Sequence, residues 1–220
     1  MSNSASFFTD FQATDLLFLG EAAGRTLGIS AVSITIGTIL GCIFGWALQA
    51  SRWFAQATIG TVLDVFRSVP LIIQLILFYN FFPIIGWKMG PFAAGAFVLS
   101  LYTAALVANV VRGGIDAVGI PMRRAARSLG MSYWQDLRYV VWPIGLRAVF
   151  PSWVGVALSV IKDSALVSVL GYLELLRASQ ILITRTQEPF IILACAGAFY
   201  FALSYPLSKY SKKLEEGWTS

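Results

Sequence analysis

Apolar residues run in long blocks along this chain, and the polar and basic residues collect between them. Five blocks stand out, over 26–49, 59–82, 92–111, 144–170 and 190–208. Each comes close to or exceeds the roughly 20 apolar residues that an α-helix needs to cross a bilayer. The pattern predicts an all-α membrane protein with about five transmembrane helices. Lys162 and Asp163 interrupt the fourth block, which could divide there into a spanning part and a second, obliquely packed part.

Composition agrees with this. Hydrophobic residues make up 57% of the 220 and charged residues 12%, and the mean hydropathy is +0.73. Soluble domains carry about 25% charge, and so large an apolar surplus cannot be hidden inside one small globule. Cys42 and Cys195 both lie in apolar segments and the chain has no histidine, which leaves no basis for a zinc site or a disulfide scaffold. Residues 2–12 lack a basic stretch followed by an apolar one, so no cleavable signal peptide is expected. With no internal repeat or low-complexity linker, the chain divides into an N-terminal segment 1–24, one membrane domain 25–208 and a tail 209–220.

The net charge of +5 is distributed as a topology signal, at block ends, and not as a nucleic-acid footprint. One set of loops holds Arg52, Arg67, Arg112, Arg123, Arg124, Arg127, Arg138, Arg147, Lys209, Lys212 and Lys213. The opposite set holds Lys88, Arg177 and Arg185, and the N-terminal tail sets Arg25 against Asp10, Asp15 and Glu21. The positive-inside bias therefore predicts an outer N-terminus and a cytoplasmic C-terminus, as does an odd number of spans. In the first block Gly37, Gly41 and Gly45 share a helical face, where small residues let two backbones approach closely. Ala194, Ala198 and Ala202 form a similar row in the last block; packing within the chain is the preferred reading of both rows over a subunit interface.

The loop 112–143 is the most informative stretch and carries five arginines. Its core reads RRAARSLGMSYWQDLRYVVWP from Arg123 to Pro143. Residues 122–129 suit a helix, and Gly130 can supply the left-handed residue that ends it. Ser132 and Gln135 make a capping box that starts a second helix, expected to stop at Pro143. Both helices are too short to span lipid and present Leu129, Tyr133, Trp134 and Leu137 as an apolar side. From the residues alone, an amphipathic element that attracts anionic lipid and a protein-docking element remain equally open.

Transmembrane subunits of ATP-binding-cassette (ABC) importers carry a loop of the form Glu-Ala-Ala, three residues, Gly, nine residues, Ile, any residue, Leu-Pro. This chain resembles it at Ala125, Ala126, Gly130 and Pro143, with Val140 for the Ile, Trp142 for the Leu and Arg124 for the Glu. Arg67-Ser68-Val69-Pro70-Leu71 followed by Gln74, Arg112-Gly113-Gly114-Ile115, and Lys162-Asp163-Ser164-Ala165-Leu166 resemble further segments of the polar amino-acid permeases in that family. The similarity runs from about residue 24 to 214, and four motifs in order and spacing make it specific. Two departures are Arg124 in the place of an acid, which reverses a charge in the docking loop, and Asn109 where relatives often carry Glu.

The resemblance implies the transmembrane domain of a type I ABC importer, with a cytoplasmic coupling-helix hairpin, in the inner membrane of a bacterium. It implies a second permease subunit, identical or similar, and a dimer of ATPase subunits docked on Arg124, Ala125, Ala126, Leu129, Gly130, Met131 and Ser132. It also implies a periplasmic or lipid-anchored solute-binding protein and a polar amino acid as cargo. The chain has no phosphate-binding loop of its own, so ATP and magnesium belong on the partner subunits and the chain is not itself an enzyme.

A solute path needs polar groups at membrane depth, where they are costly. Gln74, Asn80, Lys162 and Asp163 are candidates, with Asp163 suited to an ammonium group and Gln74 to a carboxylate or side chain. Against this, Lys162 and Asp163 could pair with neighbouring groups, and Gln74 could satisfy a backbone group freed near Pro70. Asn109 lies near the cytoplasmic end and, like Pro70 and Pro143, suits a gating or structural role. Glu174, Arg177, Arg185 and Glu188 flank the last connection as a docking site or a solvated loop. The same architecture moving another solute such as an opine, and a lipid-binding scaffold or sensor, are the alternatives.

Overall fold

The computed structural model describes residues 11–50 and 56–219, and every element among them is helical. Residues 1–10, including Asp10, and Arg52 lie outside the described residues. Four helices are long and apolar enough to cross a membrane and a bent pair supplies a fifth span, as the hydropathy pattern requires.

Helix α1 (Ala13–Ala50) starts earlier than its apolar block, so Asp15, Glu21 and Arg25 belong to the helix and not to a tail. At 1.5 Å per residue its 38 residues extend about 57 Å, well beyond a hydrocarbon core of roughly 30 Å. It packs chiefly on α4 (Pro91–Ala117), the central helix: 61% of the most apolar stretch of α4 is buried, against 11% for α9 (Pro189–Thr219) at the edge. The glycine row makes the α1–α4 approach possible. A Cβ at Gly37 would lie 2.5 Å from Thr103 Cβ, one at Gly41 2.6 Å from Val107 Cβ, and one at Gly45 2.7 Å from the Ala108 carbonyl oxygen. The alanine row differs from expectation. Ala194, Ala198 and Ala202 are exposed on α9, because that helix buries a different face against its neighbours.

The second block is not one straight span. Helices α2 (Thr61–Ser68) and α3 (Leu71–Ile84) meet at 108°. Pro70 has no N–H, and its ring drives Val69 into the extended region (φ −84°, ψ 131°), which stops α2; Pro70 then caps α3.

The expected break in the fourth block is absent, and the element before it is longer than expected. After α5 (Ile120–Ser128), α6 (Tyr133–Asp136) passes through a π-helical turn (Leu137–Val141) directly into α7 (Trp142–Asp163). Pro143 therefore does not end a second short helix; it sits in the first turn of α7. The widened π turn spares its ring the clash with a carbonyl four residues back. Beyond Asp163 the helix tightens to 3₁₀ geometry over Ser164–Leu170 and ends at Gly171 (φ +86°), so Tyr133–Leu170 is a single 38-residue element. Helix α8 (Leu175–Thr186) then lies against the start of α1 and α9, sharing a core of Leu19, Ala22, Leu175, Leu182 and Ile192.

Candidate functional site

The loop between α4 and α7 is built as a rigid unit. Gly130 adopts φ +85°, the left-handed conformation that closes α5, and Met131 N–H bonds back to the Ala126 carbonyl. Ser132 Oγ accepts from Gln135 N–H, and Gln135 Oε1 accepts from Ser132 N–H at 2.8 Å, completing the capping box read from the sequence.

One residue the sequence reading passed over holds the two arms together. Asp136 is fully buried, and its Oδ2 lies 3.1 Å from Arg123 Nε and 3.8 Å from Arg127 Nη2. The carboxylate of α6 is thus clamped to two arginines of α5. An acid thirteen residues after an arginine gives no signal until the chain turns back on itself. The unit is also fastened to α1: Trp46 Nε1 donates to the Tyr133 hydroxyl at 3.2 Å and its ring stacks on Trp134, centroids 5.9 Å apart. Gln49 Nε2 donates to Asp116 Oδ1 at 2.9 Å. Of the docking residues named above, Ala126 is buried and forms the inner face, Met131 is half-buried, and Arg124, Ala125, Leu129, Gly130 and Ser132 are exposed, Leu129 to 82%.

The polar groups at membrane depth divide into engaged and unengaged. Gln74 is buried, and its Nε2 donates to the carbonyls of Phe66 and Val69, both at 2.7 Å. It satisfies the backbone freed at the bend, the structural role weighed for it above. Asn80 donates to the Ile76 carbonyl of its own helix at 2.7 Å and remains exposed. The amide of Asn109 faces the guanidinium of Arg67. With its oxygen turned to the donors, as the hydrogen-bonding pattern requires, it accepts from Nε at 3.3 Å and Nη1 at 2.6 Å. Arg67 also pairs with Asp64 of its own helix at 3.1 Å, so the tie between α2 and α4 runs through Asn109.

The side chains of Lys162 and Asp163 form no ion pair with each other, and among the described residues neither side chain makes a hydrogen bond or ion pair. Asp163 is half-buried within electrostatic reach of Tyr102, and Lys162 is exposed. Apolar packing of Leu71 and Leu75 with Val167 and Leu170 brings α3, which carries Gln74, against the 3₁₀ turn that follows Asp163.

At the other end, Glu174 is fully buried and caps α8, accepting from Leu176 N–H at 2.8 Å, Arg177 N–H at 2.7 Å and Tyr200 O–H at 3.1 Å. Burial raises its carboxyl above the ordinary carboxylate range, and the two backbone donors and Tyr200 oppose that rise. Arg185 pairs with the buried Asp15 of α1. Of the four charges expected to flank a docking surface, two therefore serve internal packing. A groove of about 770 Å³ between α1, α4 and α7 is lined by Cys42, Trp46, Val111, Trp134 and Trp142, and its Thr38 hydroxyl is taken by Trp153 Nε1 at 3.0 Å. No charged side chain lines it, which makes it unsuited to a polar solute.

Comparison with known proteins agrees with this anatomy. Residues 34–212 match the family described as binding-protein-dependent transport system inner membrane component. The probable glutamine ABC transporter permease protein GlnP of Bacillus subtilis (strain 168) is 31% identical over 214 residues, 95% of this chain and 97% of that one. The glutamine transport system permease protein GlnP of Escherichia coli (strain K12) is 28% identical over 197 residues, 89% of this chain and 90% of that one. Among solved structures, a chain from an amino acid ABC transporter crystallised with histidines superposes with a TM-score of 0.83 at 30% identity, covering 90% of this chain and 93% of its own. A chain of the inward-facing MetNI methionine ABC transporter superposes at 0.80 with 20% identity, a likeness of fold. With a family match over most of its length, this chain belongs to the inner membrane components of binding-protein-dependent transport systems.

Proposed function

We propose that the chain is the permease subunit of an ABC importer that carries a polar amino acid inward across the bacterial cytoplasmic membrane. The observation that carries this reading is the clamped α5–α6 unit, which is continuous with the helix ending at the unpaired Asp163. Motion imposed on α5 by an ATPase would pass through the Arg123–Asp136 pair into a helix of 38 residues, unbroken from Asp136 to Asp163. The charge asymmetry of the loops supports an outer N-terminus and a cytoplasmic α5. ATP and magnesium are held by two ATPase subunits, a second permease subunit completes the pathway, and a solute-binding protein delivers the cargo from outside. The relatives named for glutamine support an amino-acid cargo. In the pathway Asp163 receives the ammonium group, since its carboxylate, with the Lys162 charge nearby but in no ion pair or hydrogen bond within the chain, can still take a cation. Lys162 stands beside it as a second polar contact, and Asn80 lines the approach; Gln74 acts through the bend it closes.

Uptake of radiolabelled amino acids into proteoliposomes containing permease, ATPase and binding protein tests the reading. Glutamine or another polar amino acid should accumulate only with ATP inside and binding protein outside. Asp163→Asn should lower uptake tenfold or more while the complex still assembles; unchanged uptake would remove Asp163 from the pathway. Absence of ATP-dependent uptake for every polar amino acid would overturn the cargo class.

A further inference from the structure

We propose that Arg124 is the charge by which this permease selects its ATPase, and that the ATPase cleft presents a carboxylate to it. This rests on the importer reading above and concerns which ATPase fits.

Helix α5 is oriented by Ala126, its buried residue. Arg124 lies two positions earlier, which at about 100° per residue turns it roughly 160° away from Ala126, and it is exposed. The other two arginines of α5 are occupied. Arg123 is paired with Asp136, and Arg127 shares that carboxylate and lies over the Tyr133 ring, 6.0 Å from its centroid. Among the described residues Arg124 forms no hydrogen bond, ion pair or ring contact. Its neighbours on the outward face, Pro121, Ala125 and Ser128, are exposed and uncharged, and Ile120 (63% exposed) and Leu129 border them with apolar surface. The docking face is therefore apolar and small-residue surface around Arg124, the one arginine of α5 with no partner of its own, with the exposed Arg127 beside it sharing the Asp136 carboxylate.

A cleft that receives this face removes the guanidinium from water, and a desolvated charge is tolerated only when paired. A carboxylate is the complement that a guanidinium's planar fork meets with two parallel hydrogen bonds. A cationic cleft would repel it, and a neutral one would leave it stranded. Because Arg124 stands where the family pattern has an acid, an ATPase shaped to meet that acid opposes a like charge here. Repulsion of that kind separates cognate from non-cognate pairs more sharply than added attraction does.

The test is co-purification of the ATPase on tagged permease, with ATP hydrolysis of the reconstituted complex as a second readout. Arg124→Gln, Arg124→Glu and the remote control Lys213→Glu are compared. Expected are a several-fold loss of bound ATPase for Arg124→Gln, a loss of tenfold or more for Arg124→Glu, and no change for Lys213→Glu. Lysine substitution at one acidic residue of the ATPase cleft should restore the Arg124→Glu complex, which general damage to the loop would not allow. Equal binding by wild type and Arg124→Glu would overturn this proposal and leave the importer reading standing. Wild-type permease that carries no ATPase would overturn both.

Discussion

The side-chain nitrogen of Gln74 lies 2.7 Å from the carbonyl oxygen of Val69 and closes the 108° bend between α2 and α3. The same nitrogen reaches Phe66, so one amide serves both carbonyls freed where α2 gives way to α3. In lipid no water can take that place.

Gln74→Leu should therefore act on stability before it acts on cargo. With two carbonyls left without a donor, the loss is expected to be about 2 kcal/mol or more. Thermal unfolding of the detergent-solubilised permease would show it as a lowered midpoint. A variant as stable as wild type but defective in uptake would instead make Gln74 a cargo contact.

The α1–α4 seam gives a second expectation. Gly41 admits no Cβ without a shift of Val107 or of the Ala104 carbonyl, 3.0 Å away. Gly41→Val should separate the helices and cost about 1–3 kcal/mol, the usual range for overpacking. Gly197, with open space around it, should tolerate Ala at little cost. Unfolding midpoints of the two variants decide the point; equal midpoints would contradict the packing described.

The Arg123–Asp136 clamp predicts an asymmetry. Removing Arg123 leaves a fully buried carboxylate with only Arg127, 3.8 Å away, whereas removing Asp136 leaves arginines that can turn to water. Loss of one partner from a buried pair costs about 3–5 kcal/mol when the remaining charge cannot escape, so Arg123→Ala should destabilise the chain more than Asp136→Asn does. Both variants should uncouple ATP hydrolysis from uptake, measured as ATP consumed per solute accumulated. Tight coupling in both would mean that the clamp transmits nothing.

Glu174 gives a pH dependence whose sign follows from its burial. A carboxyl whose value is raised on folding binds protons more readily in the native state than in the unfolded one. Its contribution is then fully present below the ordinary carboxylate value and is lost as pH rises through the raised value. Wild type should lose stability from this source as pH rises above the ordinary carboxylate value, and Glu174→Gln should flatten that part of the profile. A wild-type profile already flat there would contradict the assignment.

Periodicity and composition made the spans, the left-handed Gly130 and the Ser132–Gln135 box readable in advance, since each is a local pattern in which neighbours settle the outcome. The bend at Pro70 was less legible: Asp64, Arg67 and Pro70 interrupt the second block, but an interruption in hydropathy carries no angle between the helices on either side of it. At Lys162 and Asp163 the reverse happened: two charges suggested a break, but backbone bonding runs on into the 3₁₀ turn regardless of side-chain polarity. Asp136, Tyr200 and Arg185 act only through partners distant in sequence, at Arg123, Glu174 and Asp15. Such pairings exist once the helices are assembled and have no spacing rule to reveal them.

The π-helical turn at Leu137–Val141 has a consequence for how such a chain can change. Each residue of a helix advances the azimuth by about 100°, and the widened turn accommodates an extra residue between dock and span. Deleting one residue there would restore ordinary α-helical winding with little net rotation, so the outward face of α5 would keep close to its present direction about the axis of α7. The turn is thus a take-up joint, the place where the chain can gain or lose one residue without re-aiming the arm that precedes it.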